Sequence, residues 1–176
     1  MISPSRFPGR SILSALVLAL ACTQALAQAP APASRPAPPP RGAVIPRPSL
    51  ESARKALDAA VASATQAGAS LSCAVVDVHG DLVAFVRMDD AAFLTVAISQ
   101  GKALASALFG RPSAELSTFG QSPFFAGLNA SMGNRLIPAQ GAVPILRDKR
   151  VIGAIGCSGG APQQDEAAAQ AGLAVF

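Results

Sequence analysis

The chain has 176 residues, of which 51% are hydrophobic, and it carries 14 basic and ten acidic side chains. Five of the basic residues precede Ser49 and all ten acidic residues follow it, so from Ser49 onward nine basic side chains stand against ten acidic ones and the net charge is −1. Without a basic excess, and without Trp or Tyr to stack on bases, this part of the chain gives no basis for a nucleic-acid partner.

The first 27 residues have the organisation of a secretory signal peptide. Arg6 and Arg10 precede an apolar run over residues 12–21, and the small residues that end at Ala27 form the expected cleavage site. The run is shorter than the roughly 20 apolar residues that span a bilayer, so we expect no transmembrane span in the mature chain. The protein is therefore expected to be periplasmic or secreted, with lipid attachment at Cys22 as the alternative.

Residues 28–48 are expected to be a spacer. They contain eight prolines in 21 positions, a composition that favours an extended, solvated chain and cannot form a core. The remaining 128 residues, 49–176, are enough for one domain with a hydrophobic core.

Residues 71–89 predict an antiparallel hairpin around which the domain is organised. Two short Val-rich runs, Leu71–Val76 and Leu82–Met88, flank the connection Asp77-Val78-His79-Gly80. Asp at the first position and Gly at the fourth are typical of a type I turn closed by a residue with positive φ. A second hairpin is predicted for residues 142–146 and 151–157, with a charged tip between them.

Helices are predicted before, between and after the hairpins. Ser49 is a good N-cap for the first helix, and the last covers residues 163–173. Between the hairpins, residues 91–109 form a helix and residues 113–119 a short one. Residues 120–140 are irregular, and their apolar side chains either line a pocket or fill the core beneath a loop. This order predicts an α/β fold of the α+β type, an antiparallel sheet with helices packed on it.

Two stripes run along the helix predicted for residues 91–109. One is apolar, and the other consists of Thr95, Ser99, Lys102 and Ser106, at spacings of four, three and four. We interpret the polar stripe as the solvated side of an amphipathic helix. The alternative is that Lys102, which offers three hydrogen-bond donors, anchors a carboxylate or a phosphate.

Few other residues suggest chemistry. Cys73 and Cys157 each lie in a predicted strand, where they form either a cross-strand disulfide or two small buried thiols. His79 is the only histidine and lies at a hairpin tip with no Cys or second His nearby, so no metal site is evident. Arg87 and Asp89 lie at the end of a strand, where they contact a ligand or a neighbouring subunit or form a structural ion pair.

Five stretches, in order along the chain, resemble one known family. They are AVVDVHGDLVAFVRMD at residues 74–89, GKA at 101–103, FGRPS at 109–113, GAVPI at 141–145 and VIGAIGCSGGAPQQDEAAAQAG at 151–172. Together they are similar to the GlcG/HbpS family of haem-binding or haem-degrading domains, which also occurs as the C-terminal domain of PduO-type corrinoid adenosyltransferases. The resemblance covers nearly all of residues 49–176. It implies a sandwich built on an antiparallel sheet of about five strands, assembled into a homo-oligomer.

The resemblance implies a protein that binds haem, another tetrapyrrole or a small molecule. The ligand contacts that we expect are Arg87, Asp89, Lys102, Ser158, Gly159 and Gly160. Haem-binding relatives draw an axial His from near the first helix, where this chain has none, so His79 is the candidate ligand for the haem iron. The alternatives are an enzyme that acts on haem or on a small hydroxy acid such as glycolate, and a structural oligomer without a ligand.

Overall fold

The computed structural model describes residues 46–176, so the predicted signal peptide, with Cys22 and Ala27, and most of the predicted spacer lie outside the described residues. The helices and strands are α1 (Leu50–Gln66), β1 (Ser72–Asp77), β2 (Leu82–Arg87), α2 (Leu94–Phe109), α3 (Pro123–Ser131), β3 (Ala142–Arg147), β4 (Arg150–Ser158) and α4 (Pro162–Leu173). Single turns of 3-10 helix, Ser113–Leu116 and Phe119–Gln121, lie between α2 and α3. In this part of the chain no helix has the length and apolar character that crossing a membrane requires.

The four strands form one antiparallel sheet in the order β2-β1-β4-β3. Each predicted hairpin supplies two neighbouring strands, and the hairpins meet where β1 pairs with β4. The prediction of an antiparallel sheet covered by helices is confirmed, but the count of about five strands is wrong, since residues 46–176 form four. Between α2 and β3, where the chain has its longest stretch without a strand between two strands, Gly, Pro and Asn recur and α3 forms.

The first hairpin has the turn that its sequence predicts. The Gly80 amide donates to the Asp77 carbonyl oxygen at 3.0 Å, and Asp77 Oδ1 accepts hydrogen bonds from the amides of His79 and Asp81. Gly80 has a φ of 81°, which a residue with a Cβ rarely adopts. A Cβ at this position would also collide with the side chain of Leu104, so the turn lies directly against α2.

The helices cover both faces of the sheet. α1 and α4 pack against each other on one face, over a core that includes Val75 and Ile155. α2 lies on the other face, where small side chains such as Ala154 contact it. The backbone of α2 can approach closely because β4 carries Gly156: a Cβ there would lie 2.6 Å from the carbonyl oxygen of Ser99.

The polar stripe of α2 faces the sheet, and its apolar stripe is only partly exposed. Ser99 and Ser106 are fully buried and Thr95 and Lys102 are 5% exposed. In the apolar stripe Leu94 is 64% exposed, whereas Leu104 and Ala105 are buried in a cluster that includes Phe125 of α3. The interpretation of the polar stripe as a solvated side is therefore wrong. The polar side faces the sheet because the sheet offers small residues and hydrogen-bond partners there: the hydroxyls of Thr95 and Ser72 lie 2.7 Å apart, and Lys102 donates to the Cys157 carbonyl oxygen at 3.3 Å. Ser106 is satisfied locally, since it donates to the Arg111 carbonyl oxygen at 2.7 Å in the loop that follows α2.

A buried ion pair joins the helices on the two faces of the sheet. Lys102 Nζ, on α2, donates to Asp165 Oδ2, on α4, at 2.8 Å and to the Cys157 carbonyl oxygen at 3.3 Å. The two side chains are 6% and 4% exposed. They meet where β3 begins and β4 ends. Gly141 leaves the necessary space, since a Cβ on it would lie 2.7 Å from the Lys102 ammonium. Lys102 thus links two layers that the sheet otherwise separates.

In the structure a disulfide joins Cys73 and Cys157. The two residues are direct partners in the register of β1 and β4, with Cα atoms 4.1 Å apart. Both are buried in the core beneath α1 and α4. The bond therefore crosslinks the two central strands, 84 residues apart in sequence.

Replacing both cysteines, as Cys73→Ala with Cys157→Ala, is expected to lower the free energy of unfolding by about 2–4 kcal/mol, because the unfolded chain loses a crosslink that closes a long loop. Urea denaturation of residues 28–176 measures this change. The oxidised wild-type protein should show no free thiol when it is denatured. Two reactive thiols per chain, or equal stability of the oxidised wild type and the double variant, would contradict the disulfide.

Replacing Lys102 by Met is expected to lower the free energy of unfolding by about 3–5 kcal/mol, because Asp165 is left buried without its charge partner. The chain offers a matched control in the exposed pair formed by Lys55 and Glu51. Lys55→Met should change stability by no more than about 0.5 kcal/mol, as is usual for a solvated i,i+4 pair. Equal effects of the two substitutions in urea denaturation would show that the Lys102–Asp165 pair does not hold the helices.

Candidate functional site

Four of the predicted ligand contacts lie close to the buried Asp165, and two of them, Lys102 and Gly160, bind its carboxylate. Lys102 binds one carboxylate oxygen, and the Gly160 amide donates to the other at 2.9 Å. Ser158 is buried at the end of β4, and Gly159, with a φ of 141°, passes so close to Ser70 that a Cβ would collide with its carbonyl oxygen. The structure brings these residues together, but around a carboxylate of the protein itself and not around an open cavity.

The other predicted contacts lie on the surface near the first hairpin. Arg87 donates through Nε to the Ala91 carbonyl oxygen at 2.9 Å, and its guanidinium carbon lies 4.5 Å from the ring centroid of Phe93. Asp89 is exposed in the connection between β2 and α2, and His79 is exposed at the tip of the β1–β2 turn. Within residues 46–176, no three His, Cys, Asp or Glu side chains gather where they could share a metal ion.

A groove of about 490 Å³ lies on the outer side of α2, the side that carries its apolar stripe. Its apolar surface comes from α2 and from the segment that precedes β3, and its polar groups lie mostly toward that segment. The residues that line it are Gly80, Phe93, Val96, Ala97, Gln100, Gly101, Leu104, Asn134, Arg135 and Ile137. Because α2 turns its polar side to the sheet, this apolar side is left to form the groove.

Gly101 lets the segment before β3 cross α2 at close range. The Ile137 amide donates to the Gly101 carbonyl oxygen at 3.2 Å. A Cβ on Gly101 would lie 2.7 Å from the Arg135 carbonyl oxygen and 2.7 Å from Ile137 Cγ1, so no larger residue fits without displacing the segment. This contact fixes one wall of the groove against the helix.

Asn129, near the end of α3, holds the same wall from its other side. Its Oδ1 accepts from the Leu136 amide at 2.8 Å, its Nδ2 donates to the Leu136 carbonyl oxygen at 3.2 Å, and its carbonyl oxygen accepts from the Asn134 amide at 2.7 Å. Asn134 has a φ of 59°, a left-handed conformation that Asn tolerates better than most residues. Arg135 lies between these anchored neighbours.

Neither α3 nor the place of Arg135 at the groove was predicted from the sequence. Residues 120–140 show no clear periodicity, but Ser122 followed by Pro123 was a usable signal for a helix start, and the Ser122 hydroxyl does accept from the Phe125 amide. Both roles considered for the apolar side chains of this segment occur: Phe125 fills the core, whereas Ile137 lines the groove.

Two further cavities are less suited to an organic ligand. One of about 670 Å³ lies between Pro48 and the β1–β2 turn, with Arg47, Asp77 and Asp81 on its walls. The other, of about 290 Å³, lies beside Phe119. Ligand sites are typically lined by apolar side chains with a few converging polar groups, which describes the groove on α2 better than the charged cavity. We therefore take the groove as the candidate site.

Comparisons of the chain with family models, with curated proteins and with solved structures all indicate the same family. The family model described as haem degrading protein HbpS-like matches residues 49–174. A 15.0 kDa protein of Citrobacter freundii, encoded in the dhaT-dhaS intergenic region and itself uncharacterised, is 30% identical over 129 residues, which are 73% of this chain and 91% of the relative.

Solved structures with the same fold include a haem complex. PduOC in complex with haem has a TM-score of 0.67 at 28% identity, and the match covers 74% of this chain and 95% of PduOC. A double mutant of HbpS from Streptomyces reticuli has a TM-score of 0.68 at 27% identity, with 82% of this chain and 99% of HbpS covered. The resemblance found in the sequence motifs is thereby confirmed, and the chain belongs to the HbpS-like family of haem-degrading proteins.

Proposed function

We propose that this protein binds haem, or a tetrapyrrole of similar size, in the groove on the outer side of α2. The observation that carries the proposal is a cavity of about 490 Å³ with an apolar surface on an exposed helix, in a chain whose family includes a protein solved with haem. The volume lies within the range of roughly 300–1,000 Å³ that is usual for small-molecule sites.

Phe93 is the strongest local support for a large, flat ligand. Its side chain is 83% exposed although it is among the most hydrophobic in the chain, and it lines the groove. Arg87 holds one face of the ring by a cation–π contact. A planar ligand that covered this ring, together with Val96 and Ala97, would remove apolar surface from water at about 25 cal/mol per Å².

His79 is the residue that we propose for the haem iron. It is the only histidine in the sequence, and it adjoins Gly80, which lines the groove. Neutral imidazole is the most common protein ligand for haem iron. The turn fixes the backbone of this residue, since the His79 amide donates to Asp77 Oδ1 at 2.8 Å.

The proposal includes export of the protein, with cleavage after Ala27. The composition of the first 27 residues supports it, and so does the Cys73–Cys157 disulfide, because disulfides persist in the periplasm and outside the cell and are rare in the cytosol. Self-association, which the family resemblance implies, stays a prediction.

Filling the groove is expected to weaken haem binding. Ala97 is exposed on α2 and lines the groove, so Ala97→Phe should weaken binding of hemin by about tenfold or more, since a mismatch in a well-packed pocket costs on the order of 1–3 kcal/mol. A matched control is Ala62→Phe, at an exposed alanine of α1 beyond the opposite face of the sheet. Titration with hemin, followed by the Soret band, measures both variants.

Two results of that titration would contradict the proposal. One is a wild-type protein that leaves the Soret band of hemin unchanged. The other is equal loss of binding in Ala97→Phe and Ala62→Phe, which would exclude the groove as the binding site.

The variant His79→Ala tests the proposed iron ligand. It should shift the Soret maximum of the bound hemin, because the imidazole ligand is gone, and an unshifted maximum would exclude His79 as the iron ligand.

Expression of the full-length chain with a peptide tag at its C-terminus tests export. We expect the tagged protein in the periplasmic or extracellular fraction with Gln28 as its first residue. A lipid-modified Cys22 at the N-terminus of membrane-bound protein would establish the lipid anchor instead. Uncleaved protein in the cytosol would contradict both.

A further inference from the structure

We propose that Arg135 recognises a carboxylate of the bound ligand, so that the groove selects acidic tetrapyrroles over their neutral esters. This inference rests on the proposed function and names the chemical group of the ligand that the protein recognises. The sequence analysis placed the cationic contacts at Arg87 and Lys102, and the structure points to a different residue.

The first support is the charge of the groove. Arg135 is the one charged residue among the ten that line the groove in the described part of the chain, so the site carries a single positive charge and no carboxylate. Residues 46–176 contain two ion pairs, Lys55–Glu51 and Lys102–Asp165, and Arg135 belongs to neither. Its guanidinium is exposed and free to bind an anion from the ligand.

The other candidate cations are engaged by the protein. The Lys102 ammonium is buried against Asp165, where a ligand carboxylate would have to displace an existing partner. Arg87 donates to the Ala91 carbonyl oxygen and stacks on Phe93, so its contribution is to hold that ring. Arg135 is thus the cation that the structure leaves available at the groove.

The backbone on both sides of Arg135 is fixed before any ligand binds. Asn129 holds Asn134 through one hydrogen bond and Leu136 through two, and the Arg135 carbonyl oxygen lies against Gly101. A contact group on a pre-ordered backbone loses less entropy on binding than one on a mobile loop. The backbone position from which the long side chain of Arg135 extends is therefore fixed at the rim of the groove.

The chemistry of the side chain indicates a carboxylate as its partner. A guanidinium presents its N–H groups as a planar fork that matches the two oxygens of a carboxylate. An apolar groove with one such fork suits an amphipathic acid, with a flat apolar body on α2 and an acidic group at Arg135. Haem has this character, since its ring carries carboxylate side chains.

The test compares hemin with hemin dimethyl ester, which keeps the iron and the ring but lacks the negative charges. The wild-type protein should bind hemin about tenfold to a hundredfold more tightly, as expected for one charge-assisted contact. Arg135→Gln should remove most of this difference by weakening hemin alone, and Arg135→Lys, which keeps the charge but not the fork, should lie between. Arg147→Gln, at an exposed arginine at the end of β3 that does not line the groove, is the matched control and should behave as wild type.

The outcomes separate this inference from the proposed function. If Arg135→Gln binds hemin as tightly as wild type while Ala97→Phe does not bind it, the groove is the site but Arg135 does not read the carboxylate. If the wild-type protein binds neither hemin nor its ester, the proposed function itself fails. Equal losses in Arg135→Gln and Arg147→Gln would reduce the effect to general electrostatic attraction and overturn the inference. Circular dichroism of each variant shows that the fold is intact.

Discussion

A lysine ammonium in a protein interior needs a partner, and the pairing of Lys102 with Asp165 is the constraint on which this structure depends. The pair lies beside the end of β4 and joins α2, on one face of the sheet, to α4 on the other. It also orders the turn after β4, because the second oxygen of Asp165 holds the Gly160 amide. Lys102 and Gly160, which belong to two motifs far apart in sequence, are therefore joined through one buried carboxylate.

The same constraint explains why the groove lies where it does. Because the side chain of Lys102 extends beside the end of β4 to Asp165, the side of α2 that also carries Ser99 and Ser106 must face the sheet. The apolar side then faces away from the sheet, where the segment that contains Arg135 crosses it at Gly101 and Phe125 of α3 belongs to the cluster that covers Leu104 and Ala105. The candidate site is thus formed by the part of this side that remains uncovered near the start of α2.

Local pattern was enough for the four strands and for α1, α2 and α4, but not for α3 or for the orientation of α2. Both hairpins follow from short apolar runs, and the first also from its turn residues Asp77 and Gly80, which act within a few positions of each other. Which stripe of α2 faces the sheet depends on distant small residues such as Gly156, and spacing along the helix carries no information about them. Arg135 was missed for a similar reason, because its position depends on Asn129 and Gly101 and on no repeating pattern.

The strand order places the junction of β1 and β4 at the centre of the sheet, and the paired residues Cys73 and Cys157 are 84 positions apart. Bringing such distant segments together costs loop-closure entropy before the contacts between them form, which slows folding. Each hairpin is local and can form early, whereas the central junction has to wait until β4 has been synthesised. A nascent chain with this topology therefore lacks the pairing at the centre of its sheet until its C-terminal part has been synthesised.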